Sequence, residues 1–167
     1  MSPNPLLARR AWIALTVAVL AGCQTAPPAP PVDAKAQRQQ ALREAGFTQQ
    51  GDEWALSLGT KLLFDPDADT LSNEGRAALA AVAEALRRMG IERVRVEGHT
   101  DNTGTPRHNG ALSLRRAETA AQALIRGGLP ERAVERRGHG AERPVADNGT
   151  PEGRAQNRRV VITLLVD

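Results

Sequence analysis

The chain has 167 residues, the length of one ordinary domain with short extensions. Its 22 lysine and arginine residues nearly balance 19 acidic residues, and aromatic residues make up only 2% of the chain, so neither a basic face nor a base-stacking platform for nucleic acid is expected. A single cysteine excludes an intramolecular disulfide and a multi-cysteine metal site.

The first residues have the pattern of an export signal. A basic pair, Arg9-Arg10, precedes an apolar run over 11–21, and small residues lead to Cys23. This order is typical of a secretory signal peptide, and the run is shorter than the roughly 20 residues of a membrane span. We therefore expect residues 1–22 to be a removable leader; a buried N-terminal helix is the alternative.

The end of this leader, Leu20-Ala21-Gly22-Cys23, resembles the bacterial lipobox, in which cleavage precedes the cysteine. The resemblance implies that Cys23 becomes the lipidated N-terminus. Stable anchoring needs more than one lipid signal, and such lipoproteins carry several acyl chains. Gln24 stands where an aspartate would favour retention in the inner membrane, so an anchor in the outer membrane is expected.

Residues 23–45 are expected to form a tether between this anchor and a folded domain. The prolines over 26–31 exclude helix and sheet and favour an extended spacer of about 3.1 Å per residue. The alanine- and glutamine-rich segment 34–45 has helical character, and Gly46 is expected to end it. The folded domain would then occupy residues 46–167.

Strand and helix patterns alternate through this domain. Trp54, Leu56 and Leu58 alternate with polar or small residues, as in a strand. Ser72 and Thr105 are predicted helix caps, and the second is followed by a proline. The predicted elements, in chain order, are a hairpin over 47–58, a continuing strand over 62–64, a helix from Ser72 to Gly90, a strand over 91–97, a helix from Thr105 to Gly127-Gly128, a short strand near 133–137 and a final strand over 160–166.

This order predicts an α/β fold, a two-layer sandwich with a βαβαβ core in which helices cover one face of a mixed sheet. In the second long helix an apolar stripe of Leu114, Ala117, Ala121 and Leu124 is predicted to face the core. The other sheet face or an edge would remain for a partner.

Two patterns invite a metal or catalytic interpretation, and neither is favoured. The segment 65–69 begins like a calcium loop, but Thr70 and Arg76 stand where such a loop needs glycine and glutamate. Further candidate ligands are His99, Asp101, His108 and His139. They show neither an HExxH pattern nor a pair one helical turn apart, and no serine lies in a nucleophile elbow. We expect no metal, no cofactor and no enzymatic activity.

The segment 98–104, Gly-His-Thr-Asp-Asn-Thr-Gly, follows a predicted strand and precedes a predicted helix. Loops in this position commonly bind ligands in α/β folds. At 100° per residue, Asn109, Ser113 and Arg116 share one face of that helix. Asp101 and Arg116 could then stand on opposite sides of one cleft; alternatively, they pair with each other or with solvent.

Several blocks of the chain carry a family resemblance: Leu63-Phe64-Asp65, Gly98 to Gly104, Asn109-Gly110-Ala111-Leu112-Ser113-Leu114-Arg115-Arg116-Ala117, Gly138-His139-Gly140, Pro144, Asn148, and Gly153-Arg154-Ala155-Gln156-Asn157-Arg158-Arg159-Val160. Together they resemble the OmpA C-terminal, peptidoglycan-binding family over roughly residues 61–166. The resemblance implies an OmpA-like fold that binds the free end of diaminopimelate in the peptidoglycan stem peptide.

The resemblance also assigns roles within the predicted cleft. It implies that Asp101 accepts hydrogen bonds from the ligand's ammonium and that Arg116 holds its carboxylate through paired donors, which lysine lacks. The further positions that it places at the pocket are Thr103, Asn109, Leu112 and Asp65, with Arg158 or Arg159 in support.

The lipobox, the Gly46-Phe47 segment and Trp54 together resemble the YfiB-type outer-membrane lipoproteins. This narrower resemblance implies a protein that tethers the envelope to the cell wall. An alternative, compatible role is a signalling adaptor that sequesters a periplasmic, YfiR-like repressor of a diguanylate cyclase. The partner contact would lie near 42–58, where Leu42, Phe47 and Trp54 supply apolar surface unless they pack on the domain's own core.

Overall fold

The structure, a computed structural model, describes residues 33–65 and 68–165. The predicted leader, the predicted lipidation site Cys23 and most of the predicted tether lie outside the described residues, as do Pro66 and Asp67. Within the described ranges, no helix is both long enough and apolar enough to cross a membrane.

The described part of the chain contains five helices and five strands. They are α1 (Ala34–Glu44), β1 (Thr48–Gln50), β2 (Glu53–Gly59), α2 (Thr60–Leu63), α3 (Asn73–Arg88), β3 (Val94–His99), α4 (Pro106–Arg126), β4 (Val134–Gly138), α5 (Pro151–Asn157) and β5 (Arg159–Leu164). A short 3₁₀ turn, Glu131–Ala133, leads into β4.

The five strands form one sheet in the order β1-β2-β5-β3-β4. β3 and β4 are parallel because α4 crosses over between them, whereas the other neighbouring strands pair antiparallel. The predicted mixed α/β fold is therefore confirmed.

The core lies between the sheet and the helices α3 and α4. Alternate strand residues such as Val96 and Ile162 point into it and meet Leu79, Leu86 and Leu124 of the two helices, all fully buried. The opposite side of the sheet, which we call the outer face, carries the intervening strand residues, among them Ser57, Glu97, His99, Val161 and Thr163.

Helix α4 lies very close to the sheet because two strand positions lack a side chain. A Cβ atom on Gly98 would collide with the carbonyl oxygen of Ser113, and one on Gly138 would come within 2.6 Å of the backbone nitrogen of Leu114. The Leu114 side chain is 40% exposed, so its prediction as a core residue is wrong. The backbone at this point, rather than the leucine side chain, packs against β4.

One local prediction is wrong in part and one helix was missed. Of the strand expected over 62–64, Leu62 and Leu63 lie instead in the helical turn α2, in which Thr60 N donates to Arg158 O at 3.0 Å, whereas Phe64 is extended and forms a β-bridge with Leu71. Helix α5 was not predicted, although Thr150 caps it by accepting a hydrogen bond from Gly153 N at 3.0 Å.

Helix α1 is confirmed, and Gly46 follows it with a φ of 88°, a conformation that glycine adopts readily. Leu42, Phe47 and Trp54 are 3%, 2% and 7% exposed and belong to the same core as the sheet and α3. These three side chains therefore pack within the domain and do not form an exposed apolar patch.

Candidate functional site

A cleft of about 790 Å³ opens where β3 ends. All six residues that the sequence places at a ligand pocket line it: Asp65, Asp101, Thr103, Asn109, Leu112 and Arg116. They come from three separate parts of the chain, which are the loop before α3, the loop after β3 and the first turns of α4.

Asp101 lies in the wall of the cleft and is 7% exposed. Its Oδ1 accepts a hydrogen bond from Thr103 N at 2.9 Å, and its Oδ2 accepts one from Nη1 of Arg158 at 2.5 Å. Burial alone would raise the pKa of the Asp101 carboxyl, but the hydrogen bonds from Arg158 and Thr103 outweigh it and hold the pKa below its ordinary value. Asp101 is therefore an anion at neutral pH.

The start of α4 fixes the Asp101 loop. Thr105 caps the helix by accepting a hydrogen bond from His108 N, and one turn later Nδ2 of Asn109 donates to Asp101 O at 3.3 Å. Asn109 is 4% exposed, so this hydrogen bond is shielded from water. The predicted role of Asn109 as a wall residue thus includes a structural component.

Arg116 reaches the cleft from the third turn of α4 and is 7% exposed. Its Nε and Nη2 donate to Ala68 O at 3.2 and 3.1 Å, and its guanidinium carbon lies 5.4 Å from the centre of the Phe64 ring. The carbonyl and the ring hold the guanidinium in place. Asp101 and Arg116 therefore line one cleft from two different elements.

The loop after α2 forms the rim beside Arg116. Asp65 N donates to Thr70 O at 3.1 Å and Ala68 N donates to Asp65 O at 3.2 Å, and the Asp65 side chain is exposed. Asp69 in the same loop pairs with Nε of Arg115 at 2.6 Å, and that hydrogen bond lowers the pKa of its carboxyl.

A fully buried amide organises the far wall. Asn157 Oδ1 accepts hydrogen bonds from the backbone nitrogens of Val145 and Ala146, and its Nδ2 donates to Ala146 O and to Oδ1 of Asn148. Asn148 Oδ1 in turn accepts from Asn102 N at 3.3 Å. The loop beside Asp101 is thereby held to the end of α5.

The two arginines that follow Asn157 point to opposite sides of the sheet. Arg158 lines the cleft and pairs with Asp101, whereas Arg159 lines a second cavity of about 690 Å³ on the outer face. Arg159 is 8% exposed, and its two terminal nitrogens donate to Asn157 O and Arg143 O. Of the two arginines that the sequence left open, Arg158 is thus the one at the pocket.

The histidines considered as metal ligands lie in two places. His99 and His139 stack with ring centres 5.1 Å apart, and His139 Nε2 lies 2.7 Å from Glu97 Oε1. Burial is the largest influence on His99 and lowers its pKa to about 3, so the ring is neutral. His108 lines the cleft instead. In the described ranges, no group of three or more metal-ligating side chains comes together.

Among the described residues that line the cleft, cations outnumber anions. Lys61, Arg154 and Arg158 join Arg116 in its lining, against Asp65 and Asp101. A small group that carries both a carboxylate and an ammonium matches this arrangement, because arginine forks bind carboxylates and a carboxylate accepts hydrogen bonds from an ammonium.

Sequence reasoning missed some of the lining. Phe64, which supports Arg116, lay within a recognised block but carried no polar group to mark it. Thr100 was passed over beside Asp101, yet its buried Oγ1 has no hydrogen-bond partner in the described part of the chain. Arg154 could have been placed by its position in the unpredicted helix α5, where its Nη1 donates to Asn148 O at 2.9 Å.

Comparison with known proteins gives two consistent results. The model of the OmpA family matches residues 63–158. The outer-membrane lipoprotein YfiB of Pseudomonas aeruginosa is 43% identical over 143 residues, which are 86% of this chain and 84% of that protein. The similarity to YfiB therefore extends beyond the stretch that the family model covers.

Solved structures agree with this assignment. The cell wall anchor of the T6SS from Pseudomonas aeruginosa has a TM-score of 0.63 and 31% identity, and the match covers 79% of this chain and 96% of that one. The peptidoglycan-associated lipoprotein from Burkholderia pseudomallei has a TM-score of 0.57 and 30% identity, over 65% of this chain and 89% of that one.

Proposed function

Since the chain belongs to the OmpA family, we propose that it is a non-enzymatic envelope lipoprotein whose cleft binds the diaminopimelate residue of peptidoglycan. The free end of that residue carries an ammonium and a carboxylate on one carbon. Asp101 would accept hydrogen bonds from the ammonium, and Arg116 would hold the carboxylate through its fork.

One observation carries this proposal above the others: Asp101 and Arg116, both nearly buried, line the same cleft from different elements. Thr103, Leu112 and Asp65 complete its surface. The solved structures with similar folds include a protein named as a cell wall anchor and one named as peptidoglycan-associated, which favours the same class of ligand.

The proposed anchor is the acylated Cys23 after removal of residues 1–22. The similarity to a protein named an outer-membrane lipoprotein supports a location on the periplasmic face of that membrane. A tethered domain samples a small volume, which raises its effective concentration near the wall. A modest affinity for each stem peptide would then suffice to link the envelope to the wall.

Asp101→Asn and Arg116→Lys test the cleft directly. Each keeps the approximate size of the side chain but removes, respectively, the negative charge or the fork. Because hydrogen bonds to charged groups contribute about 1.5–3 kcal/mol, each variant is expected to weaken binding to purified peptidoglycan by about 10- to 100-fold, measured by co-sedimentation.

Arg115→Lys is the matched control, since Arg115 is adjacent in sequence but pairs with Asp69 at the surface. It should pellet like the unmodified chain. Retention of full binding by both cleft variants, with circular dichroism showing intact folds, would remove diaminopimelate recognition from the proposal.

A second role, sequestration of a periplasmic repressor of a diguanylate cyclase, is favoured by the similarity to YfiB outside residues 63–158. Since Leu42, Phe47 and Trp54 belong to the core, such a partner would contact the exposed polar side of α1 and the β1–β2 hairpin.

Overproduction of the full-length chain in its own host is expected to raise cellular cyclic di-GMP if it captures such a repressor. The Asp101→Asn variant should raise it equally, because that substitution lies in the wall-binding cleft. An unchanged cyclic di-GMP level would leave the tether as the sole proposed role.

A further inference from the structure

The cleft already contains a cation at the place where the ligand's ammonium is expected. We propose that Arg158 is an internal counter-ion which the ligand displaces from Asp101, and that this exchange makes the cleft select an amino acid group over a simple amine. The inference rests on the proposed function, because it concerns how the same ligand enters.

The geometry around Asp101 sets the ligand's ammonium in competition with the Arg158 guanidinium. Both carboxylate oxygens already accept a hydrogen bond, from Thr103 N and from Nη1 of Arg158. The Asp101 side chain is only 10% exposed, so an incoming ammonium has little room to approach beside the guanidinium. Two cations on one carboxylate would also repel each other in this poorly solvated wall.

The backbone of Arg158 is held by hydrogen bonds, whereas its side chain is partly exposed. Its N donates to Arg154 O at 3.1 Å and its O accepts from Thr60 N at 3.0 Å, so the backbone is fixed between α5 and α2. The side chain is 29% exposed, and among the described residues its guanidinium forms an ion pair only with Asp101. Rotation of the side chain would break this ion pair while the two backbone hydrogen bonds remain.

The number of ion pairs lost and gained then determines which ligands displace Arg158 from Asp101. A simple amine replaces one cation on Asp101 by another and leaves the released guanidinium without its carboxylate. An amino acid group brings its own carboxylate, which the released Arg158 can share with Arg116, since both line the cleft. One ion pair is thus exchanged for two only when the ligand carries both charges.

Arg154 differs from Arg158 although both line the cleft. Its Nη1 donates to Asn148 O, a neutral carbonyl of the neighbouring loop. Arg154 therefore stabilises that loop and does not neutralise Asp101. The proposed selectivity is a property of Arg158.

Two stem tripeptides that differ only at the third residue test the exchange. One carries diaminopimelate and the other carries lysine, which has the side-chain amine without the carboxylate. Isothermal titration of the full-length chain should show a strong preference for the diaminopimelate peptide. In Arg158→Gln that preference is expected to fall by about tenfold, mainly because the lysine peptide gains affinity for the uncovered Asp101.

Arg115→Gln is the control, because it removes the same charge from a surface position that pairs with Asp69 and not with Asp101, and it should leave the preference unchanged. A second measurement needs no variant: the Nε–H resonance of Arg158 should shift when the unmodified chain is titrated with the diaminopimelate peptide.

The outcomes separate the two proposals. Binding of the diaminopimelate peptide with the same preference in Arg158→Gln as in the unmodified chain overturns the displacement and leaves the proposed function intact. Absence of binding by the unmodified chain overturns both. An equal loss of affinity for both peptides in Arg158→Gln also overturns the displacement, since it would show Arg158 to be a support for the fold of the cleft.

Discussion

The cleft and the outer-face cavity contain similar side chains but use them differently. Each has a nearly buried arginine, Arg116 in the cleft and Arg159 on the outer face, and each has a carboxylate paired to a second arginine. On the outer face, both terminal nitrogens of Arg159 donate to backbone carbonyls, and Glu97 is paired with His139. Those charges connect a loop to the sheet.

In the cleft, by contrast, the carboxylate of Asp101 is paired with Arg158, a partly exposed side chain that we propose the ligand displaces. The comparison teaches that a buried charge is not by itself evidence of a binding site. What distinguishes the cleft is that its buried carboxylate, Asp101, is paired with a partly exposed side chain at a concave surface.

Gly98→Ala should disturb the cleft and the outer-face cavity together, because β3 lies between them and α4 packs directly on this glycine. The added methyl group would push the Ser113 carbonyl away, and such overpacking costs about 3 kcal/mol. We expect a fall of this size in the free energy of unfolding, measured by urea titration, together with weaker peptidoglycan binding.

Gly110→Ala is the matched control, since a Cβ at this α4 position meets nothing within 4 Å. It should raise the free energy of unfolding by about 0.5–1 kcal/mol, because alanine favours helix. Equal effects of the two substitutions would contradict the close approach of α4 to β3.

His99→Phe tests the outer face through the pH dependence of the free energy of unfolding. The unfolded chain binds a proton at His99 below its ordinary pKa of 6.5, whereas the folded chain does so only near 3, so acid favours unfolding. Between pH 7 and pH 5 this group should remove about 2 kcal/mol from the free energy of unfolding.

The phenylalanine variant keeps a ring against His139 but cannot bind the proton, so its stability should fall about 2 kcal/mol less over the same range. Urea titrations at the two pH values measure the difference. Identical pH dependence in both proteins would show that His99 accepts a proton in the folded chain.

Arg159→Gln gives the smallest expected effect. It leaves two backbone carbonyls without donors but also removes a buried charge, so the net loss of stability should be about 1 kcal/mol. Peptidoglycan binding should be unchanged at a temperature where the variant is folded. Loss of peptidoglycan binding by a variant that remains folded would show that Arg159 on the outer face contributes to ligand binding in the cleft.

Much of the cleft could be predicted because its residues lie in local patterns. Thr105 followed by proline marks the start of α4, and helical spacing then places Asn109 and Arg116 on one face. The loop residue Asp101 follows a strand, where α/β folds position ligand contacts. These relations depend on a few neighbouring residues.

Other features depend on contacts between distant segments. The side of the sheet that Arg158 faces depends on where β5 begins, and a shift of one residue would exchange it with Arg159. The pairing of Arg159 with Gly59 and His99 fixes that start. The apolar residues Leu62 and Leu63 likewise lie in the helical turn α2, whose first residue, Thr60, donates a hydrogen bond to the distant Arg158 carbonyl.

The buried amide of Asn157 has a consequence for chemical ageing of the protein. Hydrolysis of this amide would leave a carboxylate, which accepts hydrogen bonds but donates none, so Ala146 O and Asn148 Oδ1 would lose their donor. Two oxygens would then face a new negative charge inside a water-poor loop. A single lost ammonia molecule would thus loosen one wall of the cleft without altering any residue that lines it.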